Sequence, residues 1–94
     1  MKAVWNGEII AESDDIVMVE GNAYFPPEAL RADVIRSNIH TSECYWKGTA
    51  NYYDIEVNGK LNPNAVWYYA DPTPEAANIK GRVAFWKGVK VLKK

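Results

Sequence analysis

The chain of 94 residues has one cysteine, Cys44, and one histidine, His40. A single cysteine rules out a disulfide within the chain. Structural zinc takes four ligands, mostly from paired Cys and His, and Glu43 between these two residues does not complete such a set. No metal site and no cofactor is therefore expected. No apolar run approaches the ~20 residues needed to span a bilayer, so no membrane segment is expected. Met1-Lys2-Ala3-Val4-Trp5 lacks the apolar stretch of a secretory leader, and together with the lone thiol this predicts a reducing, cytoplasmic setting.

A large charge excess is also missing. Eleven Lys+Arg against twelve Asp+Glu leave a net charge of −1, which argues against nucleic acid as a partner. The charges are nonetheless segregated. Glu8, Glu12, Asp14, Asp15 and Glu20 stand near the start, while Lys80, Arg82, Lys87, Lys90, Lys93 and Lys94 close the chain. The pattern predicts two solvated edges of a sheet that pair with each other. Phosphate-binding and nucleophile-elbow templates (Gly-x-x-x-x-Gly-Lys, Gly-x-Gly-x-x-Gly, Gly-x-Ser-x-Gly) are absent. The acid pairs Asp14-Asp15 and Asp54/Glu56 fall in a turn and on an alternating strand face, where solvated carboxylates are the expectation.

What the chain does have is rings: four Trp, six Tyr and two Phe. They remove much apolar area from water per residue, about 25 cal/mol per Å², so a single domain over residues 1–94 should fold without staples. Asn6-Gly7 and Asn58-Gly59 predict type I′ hairpin turns. Ile16–Glu20 is a β-branched run ending at Gly21-Asn22. Pro26–Arg31 and Pro74–Ile79, the latter with Thr73 as a candidate cap, predict two short helical turns. Residues 36–47 lack a clean period and predict an ordered loop. Tyr53, Ile55 and Val57 alternate with Tyr52, Asp54 and Glu56, and residues 66–70 form another strand. Arg82–Trp86 and Val89–Leu92 predict a closing hairpin over Lys87-Gly88. The fold class is mainly β: about seven or eight short antiparallel strands in a curled, barrel-like sheet.

Two features bear on chemistry. Residues 37–53 combine Cys44 and His40 with Lys47, three residues beyond the cysteine. A nucleophilic thiol requires a neighbouring base or cation to lower its pKa, so Cys44, His40 and Lys47 are the catalytic candidates, against an inert core cysteine. Adjacent rings such as Trp67-Tyr68 must face opposite sides of a strand. Either both faces are covered, or some rings line a groove able to stack a ligand.

Several segments resemble, in order, the family called domain of unknown function 427, labelled nucleotidyltransferase-like in places. They are Trp5-x-Gly7 with Ile10-Ala11-Glu12-Ser13; Tyr24-Phe25-Pro26-Pro27; Ser37; Thr41-x-x-Cys44-x-Trp46-Lys47-Gly48-x-Ala50-x-Tyr52; Ala65-x-Trp67-x-Tyr69-x-Asp71-Pro72; and Ala76-x-x-Ile79-x-Gly81-x-Val83-Ala84-Phe85. The family places proline directly after the cysteine; here Tyr45 stands there, without the φ restraint of proline. The resemblance implies a tent-like curled β fold shared with a guanine-nucleotide exchange cofactor and one class of methionine sulfoxide reductases, without their zinc knuckles. The combined expectation is a small-ligand-binding or accessory domain with a pocket around Cys44, Trp46, Lys47, Tyr52, Trp67 and Tyr69. Lys47 would hold an anionic group of a small molecule. A cysteine-dependent enzyme, a nucleotidyltransferase and a homo-oligomeric interaction domain pairing through exposed edges are the alternatives.

Overall fold

A computed structural model describes residues 1–93; Lys94, the last cation of the basic run, lies outside them. The architecture is mainly β, with nine strands among the described residues: β1 (Lys2–Trp5), β2 (Glu8–Glu12), β3 (Val17–Val19), β4 (Asn22–Tyr24), β5 (Ile35–Cys44), β6 (Gly48–Val57), β7 (Lys60–Tyr68), β8 (Val83–Phe85) and β9 (Lys90–Leu92). They form three antiparallel sheets, ordered β2-β1-β9, β3-β4 and β5-β6-β7-β8, rather than one closed barrel. No helix of the described residues is long and apolar enough to cross a membrane.

The hairpin turns follow from local chemistry. Asn6-Gly7 and Asn58-Gly59 both take positive φ at both positions, the twist that matches flanking strands. The β3–β4 turn is Glu20-Gly21, also positive at both, one residue earlier than the sequence suggests; Asn22 already belongs to β4. Short 3-10 turns at Pro27–Ala29 and Ala32–Val34 lead into β5, and a third covers Pro74–Ile79.

Two expectations are corrected. Residues 36–44 are not a loop but most of β5, paired with β6. This is an edge strand, exposed along most of its length, so neither face imposes hydrophobic alternation on its sequence. A bulge between Ser37 and Thr41 breaks its ladder. Asn38 fills the break, its side-chain amide donating to Asp54 Oδ1 and Asn64 Oδ1, each at 2.5 Å. The Lys87-Gly88 hairpin is likewise absent. β8 pairs with β7, whereas β9 crosses to the free edge of β1. The positive-φ turn at Lys87-Gly88 therefore changes sheets instead of folding a ribbon back.

The segregated charges do meet in part: Arg82 bonds Asp15 at 3.0 Å. Asp54 accepts from Asn38 and from the Asn64 amide, and Glu56 pairs with Arg36. These acids thus hold strands together.

The β6–β7 ribbon separates two cores. On one face Ile55, Val57 and Val66 join Ile10, Phe25, Leu30 and Phe85, with Tyr53 and Tyr68 packed alongside. Phe25 and Phe85 meet edge to face at 5.4 Å. Full burial of a side chain such as Ile55 or Phe25 contributes about 1.5–3 kcal/mol. On the other face Ala50, Tyr52 and Tyr69 pack with Tyr24, Ile79 and Ala84. Register explains the division: Tyr52 lies opposite Trp67 and Tyr53 opposite Val66, and neighbours along a strand point to opposite sides.

Candidate functional site

The second face is incomplete as a core. Its rings surround a cleft of about 200 Å³ lined by Asn22, Tyr24, Lys47, Tyr52, Trp67, Tyr69 and Trp86. Small side chains at Ala50 and Ala84 pack among the large ones. Trp67 stands perpendicular to Tyr24 (6.3 Å) and nearly so to Trp86 (5.8 Å). Its indole N–H donates to the Tyr24 hydroxyl at 3.1 Å. The Tyr52 hydroxyl shares a 2.8 Å hydrogen bond with Ser42 Oγ.

Lys47 enters from the tight loop that joins β5 to β6, where Cys44 lies opposite Gly48. The loop is fixed from outside. The Thr73 amide donates to the Lys47 carbonyl at 3.0 Å, and the Thr73 hydroxyl donates to the Trp46 carbonyl. Thr73 makes no side-chain cap on the following 3-10 turn, so the capping expectation is replaced by this anchoring role. Gly48 sits at φ +110°, and a Cβ there would lie 3.5 Å from the Asp71 carbonyl oxygen. Only glycine adopts such a backbone without strain, so the loop and the Asp71–Thr73 segment close on each other.

The lysine side chain is only 9% exposed. Its ammonium lies 5.0 Å from the centre of the Trp46 ring and 5.8 Å from that of Tyr69, within range of cation–π attraction. Its counter-ion is Glu20, from the tip of the β3–β4 turn, which hydrogen-bonds Nζ directly. Burial alone would lower the lysine pKa, but the Glu20 hydrogen bond and the surrounding phenols raise it above the ordinary value. The same hydrogen bond lowers the pKa of Glu20. Burial drives the Tyr69 phenol up to about 12 despite the nearby cation. At neutral pH Lys47 is therefore an ammonium paired with the Glu20 carboxylate, beside neutral phenols at Tyr24 and Tyr69. A protonated lysine is no nucleophile.

Of the residues singled out from sequence, Lys47, Tyr52, Trp67 and Tyr69 line one cleft. Trp46 backs Lys47 from outside the lining. Cys44 packs against the same cluster, partly exposed. Burial pushes its thiol pKa up; the Trp46 and Lys47 backbone N–H groups and the Lys47 charge bring it below the ordinary value. His40 does not join it. It stands four residues away on an extended strand, about 13 Å at the usual rise, and its ring packs 4.9 Å from Tyr52. Glu20, Asn22, Tyr24 and Trp86 complete the site and were not among the sequence candidates. Glu20 and Lys47 are 27 residues apart, so no local signal pairs them. Tyr24 stands in a family motif and Trp86 directly follows one.

Residues 1–93 match the family described as Domain of unknown function (DUF427). The chain belongs to that family. No curated protein matches it significantly. The DUF427 match spans the cleft and its anchoring segment together, since Glu20, Lys47, Trp67, Thr73 and Trp86 all fall within it.

Proposed function

We propose that this DUF427 chain is a small-ligand-binding domain whose site is the Lys47 cleft. The observation that carries this reading is convergence: five rings and a buried ammonium line one concavity, and a carboxylate pairs with that ammonium. Ligand sites are typically apolar hollows with a few well-placed polar groups. At about 200 Å³, this one is smaller than the roughly 300–1,000 Å³ of drug-sized pockets, which suits a single planar ring with one polar substituent. A larger hollow of about 580 Å³ lies over Tyr53 and Tyr68, but its lining is mostly apolar and its one cation, Lys80, is exposed. A cytoplasmic setting suits the free thiol of Cys44.

Thermal-shift screening of single-ring compounds tests the reading, with Lys47→Met as the control. Removing one charge of an ion pair is costly when the other stays buried, but Glu20 is half exposed and can return to water. The variant is therefore expected to melt within about 1–2 kcal/mol of the parent yet respond to no compound that binds the parent. Hits that bind Lys47→Met equally well would place the site elsewhere. A cysteine-nucleophile reading draws on the lowered thiol pKa. It lacks a base, because His40 is held against Tyr52. Half-maximal alkylation of Cys44 at or below neutral pH would favour it over ligand binding alone.

A further inference from the structure

We infer that the ligand of the Lys47 cleft is a planar monocarboxylate, and that its carboxylate takes the position on Lys47 now held by Glu20; this rests on the cleft being a binding site. The ammonium is buried, whereas its partner is 51% exposed. That asymmetry is unlike a structural ion pair sealed inside a core. Glu20 reaches Lys47 from the tip of a two-residue turn whose next residue, Asn22, lines the cleft. Solvent lies ready to receive the Glu20 carboxylate when another anion arrives. The protein's own side chain thus stands as a carboxylate ligand bound at the cation end of an aromatic cleft.

Charge narrows the class. Lys47 is the only cationic residue lining the cleft among those described. One ammonium matches one carboxylate, whereas a phosphate dianion is ordinarily met by several charge-assisted donors, often a bidentate arginine. Displacement keeps the cleft neutral, since one carboxylate replaces another on the same ammonium. The cost of parting Lys47 from Glu20 is offset by the incoming pair, and ring stacking on Trp67 and Tyr69 supplies the net affinity. Glu20 is then a competitor that also protects Lys47 from standing unpaired in the empty protein.

Calorimetric titration of wild type and Glu20→Gln with benzoate and with its neutral isostere benzamide tests this. Removing the internal competitor should tighten benzoate by about fivefold or more, the competitor being a half-exposed partner of a buried charge. Benzamide should bind both proteins alike. Benzoate affinity unchanged or weakened in Glu20→Gln, with benzoate still binding wild type, overturns the displacement and leaves the cleft standing. Failure of both probes on both folded proteins overturns the cleft itself. Should Glu20→Gln not fold, the wild-type side-chain carboxyl carbon of Glu20 provides the test by NMR. It should shift with benzoate and not with benzamide, and a carbon unmoved by saturating benzoate contradicts the proposal.

Discussion

The two faces of the β6–β7 ribbon are built from the same two strands and nearly the same residue types, yet they do different work. On one face Tyr53 and Tyr68 stack nearly parallel, 4.7 Å apart, alongside the Ile55–Phe85 core. On the other, Trp67 meets Tyr24 and Trp86 edge-on, and with Tyr52 and Tyr69 it walls a cleft whose buried lysine pairs with Glu20. What separates them is what packs on top. The first face is covered by Ile10, Phe25 and Leu30, and the hollow beside them over Tyr53 and Tyr68 is walled mostly by apolar groups; the second meets the short β3–β4 ribbon and a loop that brings Lys47 into the cleft. Aromatic content alone cannot tell these outcomes apart. The covering elements, distant in sequence, decide which hollow receives a buried charge.

Truncation on the Ile55 face should have the largest effect. Ile55 is fully buried, and Ile55→Ala is expected to lower stability by about 2–5 kcal/mol. Tyr52→Phe on the cleft face removes only the hydrogen bond to Ser42 and should cost about 0.5–1.5 kcal/mol. Denaturant unfolding of both variants measures the contrast, and equal losses would erase the division of labour between the faces.

Next in size is Gly48→Val. A β-branched residue at φ +110° pressed against Asp71 and Pro72 is expected to destabilise by about 1–3 kcal/mol. If Gly48 were an ordinary strand start, valine would leave the melting temperature unchanged or raise it. A melting temperature at or above the parent's would therefore remove the reason given for the fixed position of Lys47.

The smallest effect compares one tyrosine from each face. Burial raises both Tyr68 and Tyr69 to about 12 from an ordinary 10.0. A phenol with a raised folded-state value contributes stability that is fully present below its unfolded value and is lost as pH rises through the folded one. Wild type should accordingly weaken between about pH 10 and 12, and Tyr68→Phe and Tyr69→Phe should each flatten that decline. Two variants with the parent's alkaline profile would show that neither phenol is held neutral by the fold.

The parts of this arrangement legible in the sequence are those whose physics is local. Asn6-Gly7 and Asn58-Gly59 announce their turns because positive φ selects those residues. Tyr53, Ile55 and Val57 announce a face by alternation, and all three join the main core. The gathering of Cys44, Trp46 and Lys47 follows from a tight loop. β5 was illegible because an edge strand exposed along most of its length leaves no hydrophobic period to detect. The path of β9 was illegible because Lys87-Gly88 reads as a hairpin turn whichever sheet receives the next strand. Glu20 was missed for a third reason. A one-residue shift in the predicted turn left it at the end of a strand, and its partner is reached only through the packing of β4 against β8, where Phe25 and Val83 exchange backbone hydrogen bonds.

The central claim is that the ligand enters the Lys47 face and not the Ile55 face, and the tryptophan indole N–H resonances test it most directly. Trp67 donates to Tyr24 beside the cleft, and Trp86, a lining residue, donates to the Asn64 carbonyl at 2.5 Å. Trp5 packs on the main core, with Lys60 over its ring, and serves as an internal control. Titration with benzoate should move the Trp67 and Trp86 signals together and saturably while Trp5 stays in place. A shift confined to Trp5, or no indole shift at saturating concentration, would contradict the assignment of the cleft as the binding site.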